Sequence, residues 1–215
     1  MELNEQNPDK PSRRIVLKAI AALPVLGLSA CGDAGSSPVT ATSASPSPAA
    51  TLSPTAQCTD DDDPTPSQTE GPYFTPSSPL RTSLVETGMA GTRLSLSGLV
   101  LSTACAPVPQ SLVDFWQCDD AGVYDNAGYR LRGHQFTDAS GRFVLETIVP
   151  GLYPGRTRHI HVKVQAPSRG VLTTQLYFPG EPRNASDGIF NADLLLAVQS
   201  AGGAQQATFN FVVQL

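Results

Sequence analysis

Two histidines separated by one residue are the first feature of the sequence that could do chemistry. His159 and His161 open a run of alternating apolar and polar residues. This period predicts a β-strand, on which residues i and i+2 project from the same face. Both imidazoles could then reach one metal ion, while Ile160, Val162 and Val164 would face a core. A bare His-x-His can also be two partly exposed histidines on an edge strand, so the neighbouring residues decide between the readings.

The number of histidines limits the kinds of metal site. The chain has three, the third being His134. A copper–zinc pair needs more, and a three-histidine zinc site would have to recruit all of them. An iron site of two histidines and one carboxylate needs a nearby Asp or Glu, and the segment 153–161 has none. What this segment does offer is Tyr153 and two arginines, Arg156 and Arg158.

Tyrosine supplies a different kind of ligand. A deprotonated phenol is a hard anionic donor that suits Fe(III), whose charge would depress the tyrosine pKa far below its ordinary value of about 10. Two tyrosinates and two neutral imidazoles would leave a trivalent ion with one net positive charge, which a bound hydroxide would neutralise. This matters because an uncompensated buried charge is costly. Tyr153 is one candidate for this role. Composition leaves the second open among Tyr73, Tyr124, Tyr129 and Tyr177.

Short alternating segments between Gly and Pro turns predict the elements that would position these groups. The segment 129–136 is polar and is predicted to be a loop, and 192–200 to be a short helix. The pattern favours an all-β domain, an antiparallel β-sandwich with long active-site loops and at most one short helix. Strands are predicted over 92–101, 111–117, 142–148, 159–165, 171–177 and 207–215.

Residues 1–31 have the features of a bacterial export signal. A twin arginine at 13–14 precedes an apolar run over 19–30 that is too short to span a bilayer comfortably. The sequence Leu-Ser-Ala-Cys at 28–31 resembles a lipobox, which would place a lipid on Cys31. Together they predict a Tat-exported lipoprotein anchored to a membrane and facing the periplasm or the cell exterior. An ordinary Sec signal with an accidental arginine pair is the alternative.

Composition divides the rest of the chain. The stretch 32–68 is rich in Ser, Thr, Pro and Ala and is predicted to be a disordered tether, which leaves 69–215 as the globular domain. The net charge is −5 and there is no basic block, which disfavours nucleic-acid binding. If Cys31 is lipidated, an exported protein could form one disulfide among three remaining cysteines, with the pair undetermined. They are Cys58, Cys105 and Cys118.

Several motifs, taken in order and spacing, resemble one enzyme family. They read Glu-Gly-Pro-Tyr at 70–73, Asp-Phe-Trp-Gln-Cys-Asp-Asp-Ala-Gly-Val-Tyr at 114–124, Thr-Asp-Ala-Ser-Gly-Arg-Phe at 137–143, Pro-Gly-Leu-Tyr-Pro at 150–154, Arg-Thr-Arg-His-Ile-His at 156–161 and Gln-Leu-Tyr-Phe at 175–178. On these residues the chain resembles the intradiol ring-cleavage dioxygenases, which include catechol and protocatechuate 3,4-dioxygenases, and within them the exported single-domain branch. The sequence shows no counterpart of the long N-terminal helical domain of the catechol 1,2-dioxygenase branch, which puts the dimer interface of that branch in doubt here. A homo-oligomer of another kind stays open.

The resemblance implies a function and a set of roles. A ferric ion would be held by Tyr124, Tyr153, His159 and His161. A catechol-type substrate and O₂ would react there, and the ring would open between its two hydroxylated carbons to give a cis,cis-muconate-type product. Tyr153 would also be catalytic, as the tyrosinate that leaves the ion and takes a substrate proton. Arg156 and Gln175 would act on the substrate, and Tyr73 would lie at the pocket wall.

Two other functions stay open at this point. Non-enzymatic sandwiches of the transthyretin or carboxypeptidase-regulatory type share the Asp-x-x-Gly-x-Phe…Pro-Gly-x-Tyr pattern at 138–153, but they need neither the histidine pair nor Arg156. A zinc- or copper-binding exported protein is the third candidate. Colour separates them, because a tyrosinate–Fe(III) protein is burgundy and the third candidate would be colourless or blue. Trp116 is assigned to the core, and His134 to a polar loop.

Overall fold

Residues 63–215 are described in the computed structural model, and within them nine strands form two sheets. Two single 3-10 turns, at Pro182–Ala185 and Ala192–Leu194, are the helical elements of this part of the chain. The strands are β1 (Arg93–Ser102), β2 (Leu112–Trp116), β3 (Arg132–Phe136), β4 (Arg142–Ile148), β5 (His159–Gln165), β6 (Val171–Tyr177), β7 (Ala197–Ala201), β8 (Ala204–Thr208) and β9 (Phe211–Val213).

The two sheets enclose one main hydrophobic core. The first sheet has the order β4-β1-β8-β7, with β9 also paired to β1, and the second has the order β3-β2-β5-β6. Alternate residues of β5 are buried in this core, as predicted, because successive side chains of a strand leave opposite faces. The core residues include Leu94, Leu96, Phe115, Phe143, Leu145, Ile160, Val162 and Val164.

The predicted all-β sandwich is confirmed. Strands β4, β5 and β6 have the predicted bounds, and β1 and β2 differ by one residue at their ends. The first sheet is mixed rather than wholly antiparallel, because β8 and β9 both run parallel to β1.

The predicted loop at 129–136 is wrong, since it contains strand β3, which pairs with β2. Two of the strand's buried residues, Arg132 and Gln135, are polar and form hydrogen bonds to backbone groups. Gly133 is needed because a β-carbon there would lie 2.8 Å from side-chain atoms of both Arg81 and Leu84. The strand therefore lacks the apolar alternation by which strands are predicted.

Two further predictions near the C-terminus are wrong. The segment 192–200 is a 3-10 turn followed by β7, rather than a helix. The closing strand is split into β8 and β9, because the Asn210 side chain accepts a hydrogen bond from the Leu99 amide at 3.0 Å. At the same point the chain crosses Gly98 so closely that a β-carbon there would lie 1.7 Å from the Phe209 carbonyl oxygen.

Residues just before the predicted domain boundary at residue 69 already form hydrogen bonds to strands of the sandwich. The Thr65 amide donates to the Val212 carbonyl of β9 at 2.9 Å, and the Gln68 amide donates to Thr173 of β6 at 2.8 Å. The predicted signal segment, Cys31 and the tether as far as residue 62 lie outside the described residues. Within residues 63–215, no helix is long and apolar enough to cross a membrane.

The cysteines can be placed in part. Cys118 is a buried free thiol, which removes it from the predicted pairings. Cys105 is disulfide-bonded. Cys58 lies outside the described residues.

Candidate metal centre

The candidate site lies on the face of the second sheet that is turned away from the main core. Strand register places Trp116 of β2 opposite His161 of β5, and His161 opposite Gln175 of β6. Directly opposed residues project to the same face, so the three side chains form one row across the sheet. All three are buried, because loops cover this face.

The two histidines direct their Nε2 atoms at each other. The Nε2 atoms of His159 and His161 are 3.1 Å apart, and both rings are buried. His159 Nδ1 lies 2.7 Å from the Thr157 carbonyl oxygen, which assigns its proton to Nδ1 and its lone pair to Nε2. The hydroxyl of Tyr124, also buried, is 3.5 Å from the same Nε2. Three potential ligand atoms therefore converge.

This arrangement fits one metal cation. Two imidazole nitrogens bound at about 2.1 Å and at right angles on one ion would be roughly 3 Å apart. Two unprotonated nitrogens at this distance repel each other unless a cation or a proton lies between them. His161 Nδ1 makes no hydrogen bond to any described residue, so the ring is held by packing against Trp116, with ring centroids 4.8 Å apart and planes within 6°.

Electrostatics keep the ligand atoms neutral without a metal. Burial lowers the pKa of His159 to about 4. Burial, followed by the nearby His159, lowers the pKa of His161 well below its ordinary value. Burial raises the pKa of Tyr124, while the charges of Arg156 and Arg132 act in the opposite direction. At neutral pH the imidazoles are therefore free to bind a cation, and the phenol would ionise only when a cation compensates its charge.

Three tyrosines form a cluster beside the histidines. Tyr73 stacks on Tyr124 with ring centroids 4.4 Å apart. Tyr153 lies edge-on, 6.0 Å from Tyr124 by ring centroid, and its hydroxyl forms a 3.2 Å hydrogen bond with the Tyr73 hydroxyl. Among the four predicted ligands, Tyr124, His159 and His161 thus approach one another through their potential ligand atoms, whereas the Tyr153 hydroxyl pairs with Tyr73.

The other two tyrosines left open by composition have different surroundings. Tyr129 is 39% exposed, and its hydroxyl donates to the Pro76 carbonyl oxygen at 3.1 Å. Tyr177 is buried, and its hydroxyl donates to Gln175 Oε1 at 3.2 Å and to the Ile189 carbonyl oxygen at 3.0 Å. Within residues 63–215, no three residues of the types His, Cys, Asp and Glu are grouped so that they could hold a metal ion.

The loops that carry Tyr124 and Tyr153 pack on each other through glycine. A β-carbon at Gly122 would lie 2.4 Å from the Leu152 carbonyl oxygen, and one at Gly151 would lie 2.5 Å from the Asp120 carbonyl oxygen. The Gly151 amide donates to the Asp119 carbonyl oxygen at 2.7 Å. Close backbone approach of this kind requires glycine. The Asp-Asp-Ala-Gly and Pro-Gly-x-Tyr motifs therefore set the distance between the two tyrosines.

A roof segment, residues 69–74, covers the histidines. Gly71 has a φ of +69°, and a β-carbon there would lie 3.3 Å from His161 Cε1. Phe74 contacts Trp116 edge-on with ring centroids 4.9 Å apart. Lys163 of β5 holds the segment down, since its Nζ lies 3.5 Å from the Phe74 ring centroid and 2.5 Å from a carboxylate oxygen of Glu70. The roof limits the access of water to the site.

Arg156 and Gln175 form a hydrogen-bonded pair. Arg156 Nη2 donates to Gln175 Oε1 at 2.6 Å, and Gln175 Nε2 donates to the Thr69 carbonyl oxygen of the roof segment at 2.8 Å. Arg158 lies in different surroundings, because its guanidinium donates to Glu181 at 3.2 Å and to the Pro150 carbonyl oxygen. Arg158 lines a separate cavity of about 400 Å³ that also touches Phe178 and Asp120. The two arginines thus have different partners, although strand alternation alone would place residues i and i+2 on the same face.

Sequence reasoning missed two residues that hold the site. Arg132 is fully buried and donates to the carbonyl oxygens of Tyr73 at 2.6 Å and Asp125 at 2.7 Å, so it ties the roof segment to the Tyr124 loop. Asp187 is the second, with a carboxylate that accepts from Arg156 Nε at 2.9 Å. Both contacts join distant parts of the chain, and no local pattern indicates them.

Two sequence assignments need correction. His134 lies on strand β3 rather than in a loop, and its Nδ1 is 2.7 Å from the Ser78 carbonyl oxygen, outside the candidate site. Trp116 is buried as predicted, but in a separate small cluster with Cys118 and Tyr124 rather than in the main core.

Comparison with known proteins agrees with this geometry. The sequence model of the family described as Dioxygenase matches residues 69–214. The protocatechuate 3,4-dioxygenase beta chain of Burkholderia cepacia is 36% identical over 118 residues, covering 46% of this chain and 50% of that protein. Hydroxyquinol 1,2-dioxygenase of Rhodococcus opacus is 29% identical over 154 residues, covering 60% and 51%. The chain thus spans about half the length of these curated relatives.

Solved structures that resemble this chain are also dioxygenases. The dioxygenase domain of a dioxygenase–carbohydrate-binding protein fusion from Streptomyces sp. SirexAA-E is 61% identical, with a TM-score of 0.70, and the match covers 71% of this chain and 99% of that one. The 3-chlorocatechol 1,2-dioxygenase of Rhodococcus opacus 1CP is 30% identical, with a TM-score of 0.65, covering 69% and 72%. With its fold, its histidine pair and its tyrosine cluster, the chain belongs to the intradiol ring-cleavage dioxygenase family.

Proposed function

We propose that this domain is a non-haem Fe(III)-dependent dioxygenase that opens a catechol-type ring between its two hydroxylated carbons. Both atoms of O₂ enter the cis,cis-muconate-type product, so the reaction needs no external reductant. The observation that carries the proposal is the convergence of the His159 and His161 Nε2 atoms, 3.1 Å apart, with the Tyr124 hydroxyl 3.5 Å from one of them. A non-enzymatic sandwich would have no use for two buried imidazole nitrogens directed at each other.

The ion would be held by Tyr124, Tyr153, His159 and His161. Two hard phenolate oxygens would offset two of the three positive charges of a trivalent ion, and neutral imidazoles would complete the set without adding charge. When bound, the ferric ion would take both catechol oxygens as ligands and make the ring reactive towards O₂.

The two tyrosines differ in the way this function requires. Tyr124 is buried and stacked on Tyr73, so it is suited to remain a ligand throughout. Tyr153 is half-buried on a loop, two residues before Gly155 with its φ of +80°, and its hydroxyl already has a partner in Tyr73. Tyr153 is therefore the tyrosine better suited to take up a proton. Its phenolate would accept a catechol proton and keep that proton within the hydrogen bond to Tyr73.

The Arg156–Gln175 pair would act on the substrate. Negative charge develops on the ring as the catechol loses its protons, and a fixed guanidinium in a site shielded from water stabilises such charge. The amide of Gln175 has no freedom to rotate, because Thr69 and Tyr177 also hold it. It would hold the guanidinium in place as the substrate binds.

Tyrosine variants test the metal and its ligands. Iron-loaded protein should show a broad visible absorption band from tyrosinate-to-Fe(III) charge transfer, and Tyr124→Phe or Tyr153→Phe should shift or weaken it. Tyr129→Phe is the matched control, since that hydroxyl bonds only to Pro76 in the described chain, and it should leave the band unchanged. Wild-type protein should also consume O₂ with at least one member of a catechol panel. A colourless protein that carries stoichiometric zinc after iron-replete expression would contradict the proposal.

We also propose that the enzyme is exported and anchored by a lipid on Cys31. The support is the sequence: a twin arginine, a short apolar run and a lipobox-like Leu-Ser-Ala-Cys. Bacterial lipoproteins carry several acyl chains, which anchor far more firmly than one. Cys31→Ser should therefore block processing or move the protein from the membrane fraction to the soluble fraction. Cys118→Ser, which changes a buried free thiol, is the control and should stay with the membrane. If Cys31→Ser stays in the membrane fraction at high salt, the lipid anchor at Cys31 is contradicted.

A further inference from the structure

Asp187 is a buried carboxylate whose contact with Arg156 has so far been given no part in the reaction. It lies on the segment between β6 and β7, just after the 3-10 turn Pro182–Ala185, and its side chain is 3% exposed. Its Oδ2 accepts from Arg156 Nε at 2.9 Å and from the Thr157 amide at 2.8 Å, and its Oδ1 accepts from the Ile189 amide at 3.1 Å. Both oxygens are thus used, and a rigid acceptor faces Arg156.

These contacts fix the plane of the Arg156 guanidinium. Asp187 holds Nε, and Gln175 Oε1 accepts from Nη2 at 2.6 Å. A planar group that is held at two of its nitrogens can neither rotate nor tilt freely. Within residues 63–215, Nη1 makes no hydrogen bond. The guanidinium therefore keeps one edge available for a ligand, in an orientation that its two partners determine.

The partners of Arg156 are themselves held. Gln175 donates to Thr69 and accepts from the Tyr177 hydroxyl, so the amide cannot follow a moving arginine. Asp187 is held by backbone amides on both of its oxygens. Loss of either partner would remove one of these two hydrogen bonds, and the long Arg156 side chain could then take up other rotamers.

We propose that Asp187 is a positioning residue for the ring-opening reaction, which holds the Arg156 guanidinium so that its Nη1 edge faces the bound substrate. This inference rests on the proposed dioxygenase function. Asp187 does not touch the reacting atoms and would act only through Arg156. An error of about 1 Å in the placement of such a group can cost on the order of 100-fold in rate. The effect should fall on turnover more than on binding, because the charge of Arg156 matters most as negative charge develops.

Asp187→Asn tests this directly, because it keeps the size of the side chain and removes its charge. Glu181→Gln is the matched control. Glu181 lies on the same β6–β7 segment as Asp187 and forms a comparable, partly buried ion pair with Arg158. In iron-loaded protein, Asp187→Asn should lower kcat by about 10-fold or more and change KM by less than about 3-fold. Its iron content and visible band should match those of the wild type. Glu181→Gln should leave kcat near that of the wild type.

A double-mutant cycle separates positioning from a general structural role. If Asp187 acts through Arg156, Asp187→Asn should change kcat by less than about 2-fold when Arg156 is already alanine. A full additional loss in that background would overturn the inference, as would an Asp187→Asn enzyme that turns over as fast as the wild type. If Asp187→Asn does not fold, Asp187→Glu, which keeps the charge but moves it, should show the same loss of kcat and the same coupling.

The inference and the proposed function can fail separately. Wild-type protein that shows neither the visible band nor O₂ uptake with any catechol would refute the proposed function, whatever the Asp187 variants do. A wild type that is coloured and active, combined with Asp187 variants of unchanged kcat, would refute only the positioning role.

Discussion

His161→Ala should give a folded protein that neither holds iron nor consumes O₂ with catechol. The substitution removes one of two Nε2 atoms that lie 3.1 Å apart, and therefore one of the converging ligand atoms. Removing a group that only orients a metal ligand typically costs 10- to 100-fold in affinity, and loss of a ligand itself should cost more than about 100-fold. Iron per chain, visible absorption and O₂ uptake should all fall together.

The fold should survive this change. His161 Nδ1 makes no hydrogen bond to any described residue, so no hydrogen bond of that atom is lost. The substitution lowers stability only through lost packing against Trp116, whose ring lies parallel to the imidazole. The unfolding midpoint of metal-free protein therefore measures this packing loss separately from metal binding.

His134→Ala is the matched control, because the chain has only three histidines. His134 is half-buried and lies 2.7 Å from the Ser78 carbonyl oxygen, away from the converging nitrogens. This variant should keep its iron, its colour and its O₂ uptake. A colourless His134→Ala protein beside a coloured His161→Ala protein would contradict the assignment of the ligands.

Strand β5 shows how far the sequence predicts the fold. Its alternation places Ile160, Val162 and Val164 in the core and both histidines on the opposite face, and the structure agrees. Strand β3 was missed because two of its buried residues are Arg132 and Gln135. Their polar groups are satisfied by backbone contacts elsewhere in the fold. A polar residue can be buried wherever its hydrogen bonds are made, and alternation of apolar residues does not reveal this.

The sequence predicts some residues of the site and misses others, because several of their contacts form only in the folded protein. Spacing alone placed the two histidines together but left several tyrosines as equal candidates, and only the family resemblance selected Tyr124. The structure shows why: Tyr124 reaches the histidines from a loop whose position depends on glycine contacts with the Tyr153 loop. Asp187 was not predicted at all. It meets Arg156 from 31 residues away, across a contact that exists only in the folded protein.

Arg156→Ala should lower kcat by about 100-fold or more while iron content, colour and fold remain. The magnitude is that of a lost electrostatic donor in a site shielded from water. Arg156 lies between Tyr153 and His159 in the sequence, and its guanidinium is held by Gln175 and Asp187 rather than by any ligand atom. The metal ligands should therefore be undisturbed. Steady-state O₂ uptake with catechol, on protein matched for visible absorption, gives kcat and KM.

Arg158→Ala is the control that makes this result specific. Arg158 is two residues away on the same segment, carries the same charge, and is half-buried against Glu181 and the Pro150 carbonyl oxygen. Because its guanidinium lies in a separate cavity, its charge should contribute little to the developing negative charge on the ring. We expect Arg158→Ala to cost some stability and to leave kcat within about 3-fold of the wild type. The reverse result, a crippled Arg158→Ala and a nearly normal Arg156→Ala, would mean that the ring binds on the other side of this segment.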